Sequence, residues 1–248
     1  MRLAWKRIAA DYPDVESDFA GQPQKMLLNA AVLDEDKLQF DPFRLLLWPD
    51  RVGDNFIRPD DYDALLITAC SFGPLAVMNF YRDMSFFGLK RKAQHVIPRE
   101  RFIAASRRAL NATAAMHICR TWRQLSTKPV VVIPNPLPSE TGFGENDQPV
   151  MEIWKQCRAH GDEEALLGVF ASVTAAFETE FGFTFLPQAD ITRHGPISTK
   201  PLYCENAVSV LNRTEISHAA DDYFHMNDIY GEVMWQAAIS KIRELTGV

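Results

Sequence analysis

An α/β fold, layered α/β/α around a mostly parallel sheet, follows from three features of this sequence. Residues 64–70 (Ala-Leu-Leu-Ile-Thr-Ala-Cys) and 130–133 (Val-Val-Val-Ile) are short, continuous apolar runs, the pattern of strands buried on both faces. Each is closed by a breaker, Ser71-Phe72-Gly73-Pro74 in one case and Pro134-Asn135-Pro136-Leu137-Pro138 in the other. Stretches with helical spacing of apolar residues alternate with these runs. The chain of 248 residues contains no internal repeat or linker and is read as one domain, residues 1–248.

From the N-terminus, Leu3, Trp5, Ile8 and Ala9 set among Lys and Arg predict a short amphipathic helix over residues 3–11, stopped by Pro13. Residues 15–20 are expected as a strand, and residues 21–60 give no clear pattern. Pro74 suits the first turn of a helix over residues 75–88. Pro98 opens a helix expected to run unbroken over residues 99–126, with Phe102, Ala105, Leu110, Ala114, Ile118 and Trp122 along its apolar side. Further helices are expected at residues 149–159 and 162–180, a strand at 183–186, and a closing helix at 227–245. In such folds ligands bind beyond the carboxyl ends of the strands, which puts Ser71 and Asn135 at candidate positions before any motif is considered.

Composition narrows the function classes. With 26 Lys+Arg against 32 Asp+Glu the net charge is −6, unlike the basic face of a dedicated nucleic-acid binder. The Lys90-Arg91-Lys92 and Arg99-Glu100-Arg101 clusters read as exposed helix flanks. No apolar run approaches the roughly 18 residues of a membrane span, and the N-terminus lacks the features of a secretory signal. Four cysteines, Cys70, Cys119, Cys157 and Cys204, form no Cys-x-x-Cys pair and read as reduced thiols. The expectation is a cytoplasmic protein with a small-molecule partner, no nucleic acid, no membrane and no cofactor. The oligomeric state is left open.

The richest stretch is Asp221-Asp222-Tyr223-Phe224-His225-Met226-Asn227-Asp228-Ile229-Tyr230-Gly231. A carboxylate one turn before an imidazole can accept its Nδ1 hydrogen bond, fix the tautomer and leave Nε2 free as a general base. The same spacing also describes a helix-capping Asp222 with His225 as an exposed first-turn residue. The segment resembles the last block of the SGNH/GDSL hydrolases, where Asp-x-x-His precedes an Asn or Pro, a Gly and the terminal helix. That resemblance implies a carboxylic ester hydrolase, with O-acyl groups on carbohydrate among the family's substrates. His225 would be the base and Asp222 its orienter, with Asn227 substrate-binding, while Asn135, from its place after the second strand, reads either as a substrate-positioning amide or as a turn residue between prolines.

The family carries its serine in a Gly-Asp-Ser block, and no Gly-Asp-Ser, Gly-Asn-Ser or Gly-x-Ser-x-Gly occurs here. If residues 3–12 correspond to the family's first helix and 15–20 to its second strand, the chain begins just after that block. Residues 63–73 would then match the third strand, with Thr68-Ala69-Cys70-Ser71 at the oxyanion position. Three roles stay open to Ser71: nucleophile, polar or oxyanion-side residue in a site whose nucleophile lies elsewhere, or plain turn residue. Cys70 alternates to the opposite face and reads as core. A catalytically incomplete domain of this type, acting as a binding or assembly module, is the alternative reading. A third possibility is metal ligation by the His218, Asp221, Asp222 and His225 cluster, with His194 a candidate from another segment.

Overall fold

The structure, a computed structural model, describes residues 1–19, 27–33, 35–40, 56–144, 148–211, 214–218 and 222–247. Helix α1 (Arg2–Ile8) runs into a 3-10 turn at Ala9–Asp11, as its apolar spacing requires. The expected strand after it is not formed: residues 15–19 are irregular. Val15 and Phe19 pack on the aromatic cluster of the terminal helix instead, with the Phe19 ring 5.8 Å from that of Trp235. Strands β1 (Ala31–Leu33), β2 (Lys37–Gln39) and β3 (Phe56–Ile57) pair antiparallel.

Strand β4 (Leu65–Thr68) leads to α2 (Leu75–Tyr81), which is shorter than the sequence suggests. The chain turns after Tyr81 into β5 (Met84–Phe86), which pairs in parallel with β6 (His95–Ile97). Tyr81 donates its hydroxyl to Asp162 Oδ2 at 2.8 Å, and the Lys90 and Arg91 backbone N–H groups donate to the same carboxylate at 2.7 and 3.0 Å. This buried carboxylate fastens the end of α2 and the turn beyond β5.

The expected long helix is two, α3 (Arg99–Asn111) and α4 (Ala114–Leu125). Thr113 takes an extended backbone and its hydroxyl accepts from Met116 N, starting the second helix. Strand β7 (Val130–Ile133), helices α5 (Pro149–His160) and α6 (Glu163–Phe181), and strand β8 (Thr184–Phe185) follow as expected. A hairpin of β9 (Val208–Leu211) and β10 (Thr214–Ser217) precedes the closing helix α7 (Asp228–Thr246).

The central sheet is parallel, in the order β4-β7-β8, with Leu65 opposite Val130 and Thr68 opposite Ile133. Helices cover both of its faces. Leu65, Ile67, Val130 and Val132 face the main core built with α2 through α6, whereas Leu66 and Ile133 face α1 and α7. Those two helices meet at closest range where a Cβ on Gly231 would stand 2.6 Å from Ala4 Cβ, so no other residue fits there unless one helix moves. Trp5 and Trp235 lie ring to ring at 5.0 Å, and Trp235 Nε1 donates to Met1 O at 2.9 Å. No described helix is long and apolar enough to cross a membrane.

Candidate functional site

Two groups of residues are connected to the loop that follows β7, one of them at the carboxyl edge of the parallel sheet. The first is the segment leading into α7. Asp222 Oδ1 accepts the backbone N–H of Phe224 and of His225 at 3.1 and 3.2 Å, a turn that an aspartate makes with its own downstream backbone. Its other oxygen, Oδ2, lies 2.6 Å from His225 Nδ1 and 2.8 Å from His218 Nδ1. The two imidazoles stack at 4.0 Å between centroids with 14° between planes. The side chain of His225 is 61% exposed, against 22% for Asp222. The hydrogen-bonded edge of the His225 ring is therefore sheltered while the ring as a whole stays open to solvent.

Burial alone would raise the Asp222 carboxyl, but the Phe224 N–H and the His225 imidazole hold it below the usual carboxylate range. A carboxylate kept ionised in this way favours the Nδ1–H tautomer of its imidazole partner, which leaves Nε2 with a free lone pair. Tyr223 and Phe224 anchor the segment by packing on the main core. Tyr223 O also accepts from Ser139 N at 2.7 Å, tying the segment to the loop after β7.

The second group is the turn after β4. Ala69, Cys70 and Ser71 have φ of 61°, 48° and 58°, three successive non-glycine residues in the left-handed region. Each costs on the order of 1–2 kcal/mol, and such strain persists only where neighbours hold it. Here Ala69 N donates to Ile133 O, Phe72 N to Ala69 O, and Asn135 N to Phe72 O at 2.6 Å. A Cβ on Gly73 would stand 2.9 Å from Asn135 Cβ, so glycine lets the two strand-end turns touch. Ser71 is exposed. Cys70 is half-buried against the main core, and its thiol is pushed up to about 11 by burial, far from a ready thiolate.

Asn135 belongs to the second group. Its Oδ1 is buried without a hydrogen-bond partner, an acceptor held at the sheet edge with nothing to accept. From Asn135 to Ser139, where Tyr223 is tied, the chain spans at most about 14 Å. The loop after β7 thus links the two groups through the chain. Among the described residues, no hydrogen bond joins Ser71 to His225.

No protein-family model, curated protein or solved structure matches the chain.

The remaining candidates separate cleanly. Asn227 is buried and committed to the backbone: Oδ1 accepts from Tyr230 N as the cap of α7, and Nδ2 donates to Leu202 O and Glu205 O at 2.7 and 3.0 Å. Both amide protons are used, so it has no donor left for a substrate. His194 lies 3.9 Å from Glu140 rather than with the other imidazoles, and Asp221 falls outside the described residues. His218, Asp222 and His225 offer one donor atom each within 4.8 Å of one another, a set able to hold a cation.

Two features went unread in the sequence. The strained turn carries no glycine or asparagine at its left-handed positions, so nothing in its composition announces it. The tetrapeptide Gly144-Glu145-Asn146-Asp147 has the Gly-x-Asn-Asp form in which SGNH/GDSL hydrolases carry an oxyanion asparagine. Its residues 145–147 lie outside the described residues.

Proposed function

We propose that the chain is an SGNH/GDSL-like ester hydrolase that works through an acyl-enzyme, with His225 as general base, Asp222 as its orienter and Ser71 as nucleophile. The observation that supports this most is the 2.6 Å contact between Asp222 Oδ2 and Nδ1 of an imidazole whose ring stays open to solvent. The exposure of Ser71, in a strained turn at the carboxyl end of β4, supports the nucleophile role.

In this reading Ser71 Oγ attacks the ester carbonyl carbon while His225 Nε2 takes the hydroxyl proton. The tetrahedral oxyanion collapses, the carbon–oxygen bond to the alcohol breaks, and His225 returns the proton to the leaving oxygen. Water then attacks the acyl-serine, again giving its proton to His225, and the carboxylic acid leaves as the serine is restored. Backbone N–H groups of the strained turn would face the oxyanion. An O-acyl carbohydrate as substrate extends the resemblance of the final block and rests on that alone.

A second reading has its own support. The missing hydrogen bond between Ser71 and His225, together with the missing Gly-Asp-Ser block, favours a domain of this type without a nucleophile, serving as a binding or assembly module. One experiment separates the two. The full chain is treated with a fluorophosphonate probe, weighed intact and peptide-mapped. Stoichiometric labelling of Ser71 that disappears in His225→Ala supports the hydrolase. A folded protein that takes no label removes the role of Ser71 and leaves the module.

A further inference from the structure

We propose that His218, Asp222 and His225 form a binding site for a divalent cation of the zinc class, and that filling it withdraws His225 from service as a base. The binding half stands on the cluster itself, and the switching half rests on the hydrolase reading above.

The donors converge before any ion is considered. Nδ1 of His218 and Nδ1 of His225 both lie against Asp222 Oδ2, at 2.8 and 2.6 Å. Neighbouring ligands of a tetrahedral zinc ion, each about 2.0–2.2 Å from the metal, stand roughly 3.3–3.6 Å apart, so to admit the ion Oδ2 draws back from both nitrogens and the stacked rings swing until both in-plane Nδ1 lone pairs meet it. Two imidazoles and one carboxylate form a donor set that suits zinc and its neighbours rather than magnesium or calcium, which take oxygen. Asp222 Oδ1 is pinned by the Phe224 and His225 N–H groups, which fixes the orientation of Oδ2 as supporting hydrogen bonds do around bound metals. The exposure of His225 leaves the remaining coordination positions to water.

His218 is the residue that the catalytic reading leaves without a task. A general base needs one orienting carboxylate and no second imidazole on the same oxygen. Its side chain is only 17% exposed, and its ring lies flat against that of His225. A metal site gives it one.

The switch follows from the two nitrogens of one ring. In the metal-free state His225 carries its proton on Nδ1, shares it with Asp222, and keeps the Nε2 lone pair for the serine proton. Ligation uses the Nδ1 lone pair instead, so the neutral ring must carry its proton on Nε2. That proton moves from one nitrogen to the other through solvent, with no net gain or loss. A ring in that form has no lone pair to offer, and base catalysis and metal binding exclude each other at His225.

The test uses the full chain and zinc ion alone. Zinc is titrated in competition with a fluorescent chelator, and the tautomer of His225 is read from the nitrogen-15 shifts of its ring with and without zinc. The expected result is one zinc per chain, affinity weakened at least about tenfold in a folded His218→Gln protein, and a His225 proton that passes from Nδ1 to Nε2. No stoichiometric binding, unchanged affinity in His218→Gln, or bound zinc with Nε2 still unprotonated would each overturn the proposal. The tautomer measurement needs only the wild-type chain, so a variant that fails to fold leaves the test intact. A chain that binds zinc as expected but cleaves no ester refutes the hydrolase reading and keeps the site. Ester cleavage at full zinc occupancy refutes the switch and keeps the hydrolase.

Discussion

Asp162 and Asp222 solve the same local problem and serve different ends. Each carboxylate accepts two backbone N–H groups, those of Lys90 and Arg91 in one case and of Phe224 and His225 in the other. Their remaining partners differ. Asp162, 2% exposed, takes the hydroxyl of Tyr81, a phenol that burial and the carboxylate itself push far up, so it stays a donor at every ordinary pH. Asp222 takes imidazoles, one of them open to solvent. A saturated carboxylate beside a group that never titrates holds the fold. The same anchoring beside an imidazole, whose two nitrogens can each give or accept a proton, is the arrangement that the proposed mechanism uses.

Substitution at each aspartate should separate the two roles. Asp222→Asn should lower ester hydrolysis by about three to four orders of magnitude, because the amide no longer enforces the Nδ1–H tautomer. Its denaturation midpoint should stay near that of the wild type. Hydrolysis at the parental rate would remove Asp222 from the mechanism. Asp162→Ala should invert the outcome, with the Tyr81 hydroxyl and two backbone donors left unpaired. A loss of about 3–5 kcal/mol in urea unfolding is expected, with the hydrolytic rate kept at temperatures where the variant stays folded. Equal stability would mean that Asp162 does not fasten α2 as described.

Smaller effects sharpen the contrast. Ala69→Gly relieves one left-handed residue and should raise stability by about 1 kcal/mol, visible as a higher Tm. An unchanged or lower Tm would contradict the strained turn. Glu140 offers a third carboxylate, accepting both Nη atoms of Arg158 at 2.9 Å and the Ser198 hydroxyl at 2.6 Å. Burial pushes this carboxyl up, but Arg158 and Ser198 pull it down further, and the net position is below its ordinary 4.5. A lowered folded-state value means that the stabilisation is complete above that ordinary value and fades as the pH falls through the folded one. Tm measured from pH 7 downward should therefore fall less steeply in Glu140→Gln than in the parent.

The buried strands were legible because Leu65–Thr68 and Val130–Ile133 are apolar without interruption, a pattern that few other elements share. The break between α3 and α4 was not. Phe102, Leu110, Ala114, Ile118 and Trp122 continue a helical spacing across it, and the interruption lies in the backbone at Thr113, a capping signal that periodicity overlooks. Residues 15–19 show the reverse error, since Val15 and Phe19 are apolar because of a tertiary partner in α7 rather than a strand neighbour. At the site, Asp222 and His225 were readable as a spaced pair. The sharing of Oδ2 with His218 depends on how the chain returns from β10, which three-dimensional geometry alone reveals.

The contact between α1 and α7 sets an order of events during synthesis. The residues that cover Ala4, Trp5 and Ile8 include Trp235 and Ile239, and the bond from Trp235 to Met1 closes a sequence separation of 234 residues. Helix α1 leaves the ribosome long before α7, so its apolar side stays uncovered until α7 has followed. Closure of this face therefore comes late, with a long loop to bring together, and Gly231 is the place where it either fits or fails.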